Sequence, residues 1–143
     1  MIVIIFLDDN EGMAFNHRRQ SRDQAVTERI RQIALGKKLW MSPYSYKLYG
    51  DMDGTKTVEA EDFLDRAGQG ELCLVEAERL AHIETKIEKI IAFRWNRRYP
   101  ADVRLDLCLA GWRREETREF PGTSHEKITE EVYIQKKEFS IEL

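Results

Sequence analysis

Six apolar residues in a row, Ile2, Val3, Ile4, Ile5, Phe6 and Leu7, run straight into the polar turn Asp8, Asp9, Asn10, Glu11 and Gly12. A short apolar run that ends in a turn reads as a buried strand, and buried strands of this kind belong to sheets covered by helices. After the turn a basic loop delivers one carboxylate, Asp23, to the start of a helix. In such folds a small ligand is commonly held outside the carboxyl end of a strand, so Asp23 stands where chemistry is expected. The run is shorter than the roughly 7–15 apolar residues of a secretory signal and no basic segment precedes it. No stretch is long enough to cross a membrane as a helix.

Helical spacing follows. Val26, Ile30, Ile33 and Ala34 share a face, Ser21 and Gln24 have the spacing of a capping box, and Gly36 stops the pattern, giving a helix over 22–35. Residues 38–41 read as a strand, and Pro43 opens a short helix through Tyr49 that ends at Gly50. A brief strand is expected at 56–58, a short helix at 60–67 and a buried strand at 71–75. Leu80, Ile83 and Ile87 space a further helix, and 89–95 is again a strand. Val103, Leu105, Leu107 and Leu109 alternate with Arg104, Asp106 and Cys108, the period of a half-buried strand. Two last strands, 112–119 and 128–141, are joined by the turn 121–125. This order predicts one three-layer α/β/α sandwich with a single mixed sheet over residues 1–143. Val3, Ile5, Leu39, Met41, Leu72, Leu74, Ile90 and Leu107 are expected in its core.

With 143 residues, 42% hydrophobic and 34% charged, the chain has material for one core and a charged surface. A net charge of -3 disfavours nucleic acid or an acidic membrane as partner of the whole molecule. Cys73 and Cys108 both lie in apolar, strand-like segments and are expected buried and reduced, as in a cytoplasmic protein. His17, His82 and His125 show no ligand spacing and Asp8, Asp9 and Glu11 lack a calcium-loop pattern, so no metal site is expected. Neither cysteine has a histidine near it in sequence, and no Gly-x-Ser-x-Gly element occurs, so nucleophilic catalysis has no support at this level.

Asp23 has two readings: a carboxylate that orients a ring with adjacent N–H donors or relays a proton to it, or an acid that simply complements a helix N-terminus. Arg18, Arg19 and Arg22 put three cations beside that same terminus, where a phosphate or carboxylate would be attracted, or where they form a solvated loop. Arg94, Trp95, Arg97, Arg98 and Tyr99 interleave cations with aromatics as single-strand binders do, although Phe93 and Trp95 at the end of a strand also suit packing.

Across nearly its whole length this series of elements resembles the dihydrofolate reductase family. Residues 1–7 with Gly12 and Met13 look like that family's first strand and mobile active-site loop. Asp23 falls where the family keeps the acid that binds the pterin ring, residues 39–45 resemble a phosphate-binding strand and helix opening, and 71–75 resembles the strand that ends in a glycine pair. The resemblance implies reduction of a pterin by NADPH, with Asp23 catalytic and Met13, Phe15, Arg18, Arg19, Arg22 and Phe93 on the substrate side. It places Ser42, Ser45, Glu76 and Ala77 on the cofactor side. The departures fall on that second group. Glu76, Ala77 and Glu78 replace the glycines, and their carboxylates would repel a pyrophosphate. Ser42 and Pro43 replace a phosphate-binding cation, though Ser45 can stand for the family's threonine hydroxyl. Phe93 replaces a threonine that supports the acid, and 50–61 is too short to hold the usual strand. These changes argue against ordinary NADPH binding and set beside the reductase a second expectation: a non-catalytic protein that binds a small anion or a nucleotide between loop 12–22 and the sheet, with RNA binding through residues 94–99 a less favoured reading.

Overall fold

The computed structural model describes residues 1–136. Its elements are β1 (Ile2–Leu7), β2 (Gly12–Phe15), β3 (Arg18–Arg19), α1 (Gln24–Ala34), β4 (Lys38–Met41), α2 (Pro43–Tyr49), β5 (Lys56–Glu59), α3 (Phe63–Arg66), β6 (Leu72–Leu74), β7 (Lys89–Arg94), β8 (Val103–Arg104), β9 (Trp112–Phe120) and β10 (Ile128–Gln135). Seven strands form one sheet in the order β5-β4-β6-β1-β7-β10-β9, with β1 at its centre. β1 runs parallel to β6 and β7, β4 runs parallel to β5 and β6, and β10 closes the sheet antiparallel to β7 and β9.

The run of six apolar residues is explained by its position. Alternate side chains of a strand leave opposite faces. Val3, Ile5 and Leu7 enter one cluster with Phe63 and Leu64 of α3, Leu80, Ile83 and Leu107, whereas Ile4 and Phe6 enter the other with Val26 and Ile30 of α1, Tyr49 of α2 and Met41. Both faces are therefore covered, and the predicted α/β/α sandwich is what forms. All eight residues expected in the core are buried. Each such side chain contributes roughly 1.5–3 kcal/mol on leaving water.

Several boundaries differ for local reasons. The cap of α1 is Asp23, which accepts from the Ala25 N–H, and not Ser21. The helix spaced by Leu80, Ile83 and Ile87 is a 3₁₀ segment, Ala81–Lys86, broken at Ile83; a repeat of three suits a 3₁₀ turn as well as an α-helix. The expected strand 103–109 shrinks to β8, because Asp106 turns back and accepts the N–H groups of Leu80 and Ala81. Cys108 consequently lies on the surface, while Cys73 is buried as expected. Residues 56–59 do form an edge strand, contrary to the short connection that the resemblance implied. The last part of the strand expected to reach 141 lies outside the described residues.

Loop 12–22 is itself ordered. β2 and β3 pair as a tight hairpin through Asn16 and His17, both at positive φ (53° and 61°), and β2 also pairs with β8. Two adjacent positive-φ residues are the geometry of a type I′ hairpin, usually written with glycine; here Asn and His adopt it.

Candidate functional site

Because β1, β4, β6 and β7 are parallel, their carboxyl ends meet at one edge of the molecule. Each strand delivers polar groups there. β6 is followed by Glu76, β4 by Ser42 and Ser45 at the start of α2, β1 by Asp8, and β7 by the segment leading to Tyr99. The β2–β3 hairpin lays Arg19 across this edge. Its Nε donates to Glu76 Oε2 at 2.7 Å and its Nη2 to Oε1 at 2.9 Å, a bidentate fork. The Ser45 hydroxyl donates to the same carboxylate at 2.8 Å, and Ser42 caps α2 by accepting from the Ser45 N–H. The guanidinium lies 4.5 Å from the centroid of the Tyr44 ring, and the Tyr44 hydroxyl accepts the Arg19 N–H. Glu76 is only 5% exposed. Burial raises the neighbouring Glu78 carboxyl above its ordinary value.

Asp23 builds a second node. Its Oδ1 accepts N–H groups of Ala25 and Thr123 at 2.9 Å each, and its Oδ2 accepts the Ser124 N–H at 2.8 Å and His125 Nδ1 at 3.0 Å. The side chain is enclosed, and Gly122 is what permits it: a Cβ there would sit 2.7 Å from Asp23 Oδ2. Burial works against ionisation, but the bonds from Thr123, His125, Ser124 and Ala25 outweigh it and hold the carboxyl far below its usual range. An ionised Asp23 fixes a proton on His125 Nδ1 and leaves Nε2 as acceptor. The His125 ring stacks on Trp95, centroids 4.7 Å apart. Its Nε2 meets two hydroxyls, that of Tyr99 at 2.9 Å and that of Ser21 at 3.3 Å.

The residues singled out from sequence divide accordingly. Arg19, Ser42, Ser45 and Glu76 come together, while Ala77 is exposed beside them. Asp23 joins His125, which the sequence offered only as a histidine without ligand spacing; the two lie 102 positions apart in the chain. Arg22 and Asp23 line a cleft of about 480 Å³ with Gln24, Thr27, Leu48, Thr123 and Ser124. Phe15, Arg18 and Arg19 line another of about 290 Å³ with Gln20 and Tyr99. Met13 and Phe93 lie in the two cores and face neither cleft; Phe93 is stacked near Phe6 and edge-on to Phe120. In the basic stretch, Arg94 is paired with Glu11 and Glu131, and Trp95 is covered by Phe6 and His125. Among the described residues no three His, Cys, Asp or Glu side chains are grouped to hold a metal ion, and no helix is long and apolar enough to cross a membrane.

No protein-family model matches the sequence, and no curated protein matches it. Among solved structures, the chain is similar to a dihydrofolate reductase from Enterococcus faecalis, complexed with NADP(H) and RAB-propyl. The TM-score is 0.67 at 9% identity, over 95% of this chain and 96% of that one. The architecture is thus a dihydrofolate reductase-like α/β/α fold. At this identity the likeness is one of fold.

Proposed function

We propose that this chain is a dihydrofolate reductase-like protein that has given up NADPH-dependent reduction and binds a small anionic molecule at the carboxyl end of its sheet. One observation carries the reading. Where the resembled family has glycines that admit a dinucleotide pyrophosphate, a buried Glu76 carboxylate is tied to Arg19 and Ser45. The carboxylate does not simply repel a phosphate, as its sequence position implies. It also consumes the cation and the hydroxyl that a phosphate would need. Asp23 supports the same reading, since its hydrogen bonds fill the roughly four acceptor positions of a carboxylate and leave none for a pterin ring.

The anion is assigned to the cleft of about 480 Å³, where Arg22 is engaged in no ion pair among the described residues and Gln24, Thr27, Thr123 and Ser124 offer polar groups. A thermal-shift and calorimetric titration tests both halves. NADPH at millimolar concentration should leave the melting temperature unchanged, and inorganic phosphate should raise it in the parent but not in Arg22→Ala. An NADPH-dependent shift, or oxidation of NADPH with dihydrofolate that Asp23→Asn abolishes, would restore the reductase instead.

A further inference from the structure

The Asp23, His125 and Ser21 side chains stand in the order carboxylate, imidazole, hydroxyl, linked by contacts of 3.0 Å and 3.3 Å. We propose that Ser21 is a nucleophile activated by His125, and that this site accepts small activated esters and related acylating or phosphonylating compounds. The inference shares Asp23 with the preceding reading but requires neither an anion in the cleft nor the loss of dinucleotide binding.

Such constellations are recognised by geometry and role, not by chain order or fold. Here the carboxylate, imidazole and hydroxyl roles are filled. The Asp23 carboxylate is fixed by three backbone N–H groups, from Ala25, Thr123 and Ser124, so it cannot turn away from the ring. Stacking on Trp95 sets the plane of the imidazole, which is itself 5% exposed. Nε2, the acceptor nitrogen, lies 3.3 Å from the hydroxyl of Ser21, which is half-buried and so within reach of a small reagent. In the acyl step the Ser21 Oγ–H proton passes to His125 Nε2 as Oγ bonds to the carbonyl carbon. Nε2 returns that proton to the departing alkoxide as the C–O bond breaks. Water then repeats the sequence, with Nε2 taking its proton, and releases the acid and free Ser21.

The Tyr99 hydroxyl competes for the same lone pair from 2.9 Å. At rest it is the better-placed donor, so Ser21 reacts only in the fraction of time that Tyr99 yields Nε2. This gives the proposal a signature that incidental hydrogen bonding would not produce: removing the phenol should make the serine more reactive.

The test uses an alkyl fluorophosphonate, in which the Oγ–P bond forms as fluoride leaves, with the modified peptide located by mass spectrometry. The parent should carry the adduct on Ser21, Ser21→Ala should carry none, and Tyr99→Phe should label several-fold faster. His125→Gln should slow labelling by roughly 100-fold or more, the usual range for loss of a general base. Asp23 acts through the ring, and ¹⁵N spectra of His125 report it: Asp23→Asn should move the proton from Nδ1 to Nε2 and suppress labelling. The absence of any adduct in both the parent and Tyr99→Phe would overturn the proposal. So would an adduct on Tyr99, or undiminished labelling in a His125→Gln variant with a native near-ultraviolet spectrum.

Discussion

Arg19 and Glu76 make an asymmetric pair, and the asymmetry predicts which partner the fold can spare. The Glu76 side chain is 4% exposed and that of Arg19 23% exposed. If Glu76 is truncated, the guanidinium can move outward along the Tyr44 ring into water. If Arg19 is truncated, a buried carboxylate keeps only the Ser45 hydroxyl. Arg19→Ala should therefore cost about 3 kcal/mol, the usual scale for breaking a buried pair from one side, and Glu76→Ala clearly less. Urea denaturation of both variants and of the double variant checks this; equal losses would mean that the pair is effectively solvated. The same residues show what the sequence carried at this scale. Glu76 is recognisable as an obstacle to phosphate because it stands where the resembled family has glycines. Its neutralisation is not, because Arg19 lies 57 positions away and arrives only when the hairpin folds across the sheet. Asp23 is likewise legible as a helix-start acid, whereas His125 becomes its partner through a turn that only the tertiary fold brings near.

Among the elements, β9 is the one most exposed to misuse. It is a nine-residue edge strand paired on one side only, to β10. An edge of that length offers unpaired backbone groups to any other chain. Here Arg113, Arg114, Glu115, Glu116, Arg118 and Glu119 all stand exposed along it, and the register slips between Val132 and Tyr133, which breaks the regular ladder. Charge and bulge together disfavour edge-to-edge pairing. Replacing Glu116 and Arg118 by valine should leave the monomer fold intact but produce dimers or larger species that grow with concentration in analytical ultracentrifugation; a persistently monomeric variant would remove the argument. β1 was readable in advance, because a continuous apolar run records that both faces of a strand are covered. The segments that misled are those where tertiary contacts or turn chemistry override the local pattern. Leu105, Leu107 and Leu109 alternate like a strand, yet Asp106 is spent capping the Leu80 turn, and the β2–β3 hairpin has no glycine at its positive-φ positions.

For the whole molecule the carboxylates set the pH range. Burial opposes ionisation of Asp8, Asp23 and Glu131, but hydrogen bonds outweigh it in all three: from Gly12, Asn10 and Tyr99 to Asp8, from the 123–125 turn to Asp23, and from Arg94 and Tyr133 to Glu131. Glu71 is lowered chiefly by the Gly68 N–H, with Trp40 adding to it. A carboxyl whose folded pKa is depressed binds fewer protons than it does unfolded. Its stabilisation is complete above the ordinary carboxyl value, near 4, and is lost as pH falls toward the folded value. Glu78, raised by burial, acts in the other direction: it detracts from stability as pH rises above the ordinary carboxyl value toward its own raised one. With Glu28 and Glu88 also lowered, by Arg31 and by the N-terminal ammonium, six depressed carboxyls against one raised make the protein acid-labile, with unfolding free energy falling steadily below about pH 5. Asp23 carries a part of this that can be isolated. Asp23→Asn keeps the size of the side chain but offers one carbonyl oxygen where two charged ones accepted, so it should lose on the order of 2 kcal/mol at pH 7. That deficit should shrink as pH falls below about 4, where the unfolded chain takes up a proton that the folded Asp23 refuses. Urea midpoints of parent and variant at pH 7, 5, 4 and 3 should therefore converge; a constant gap at every pH would show that the Asp23 charge contributes nothing and that only its shape is needed.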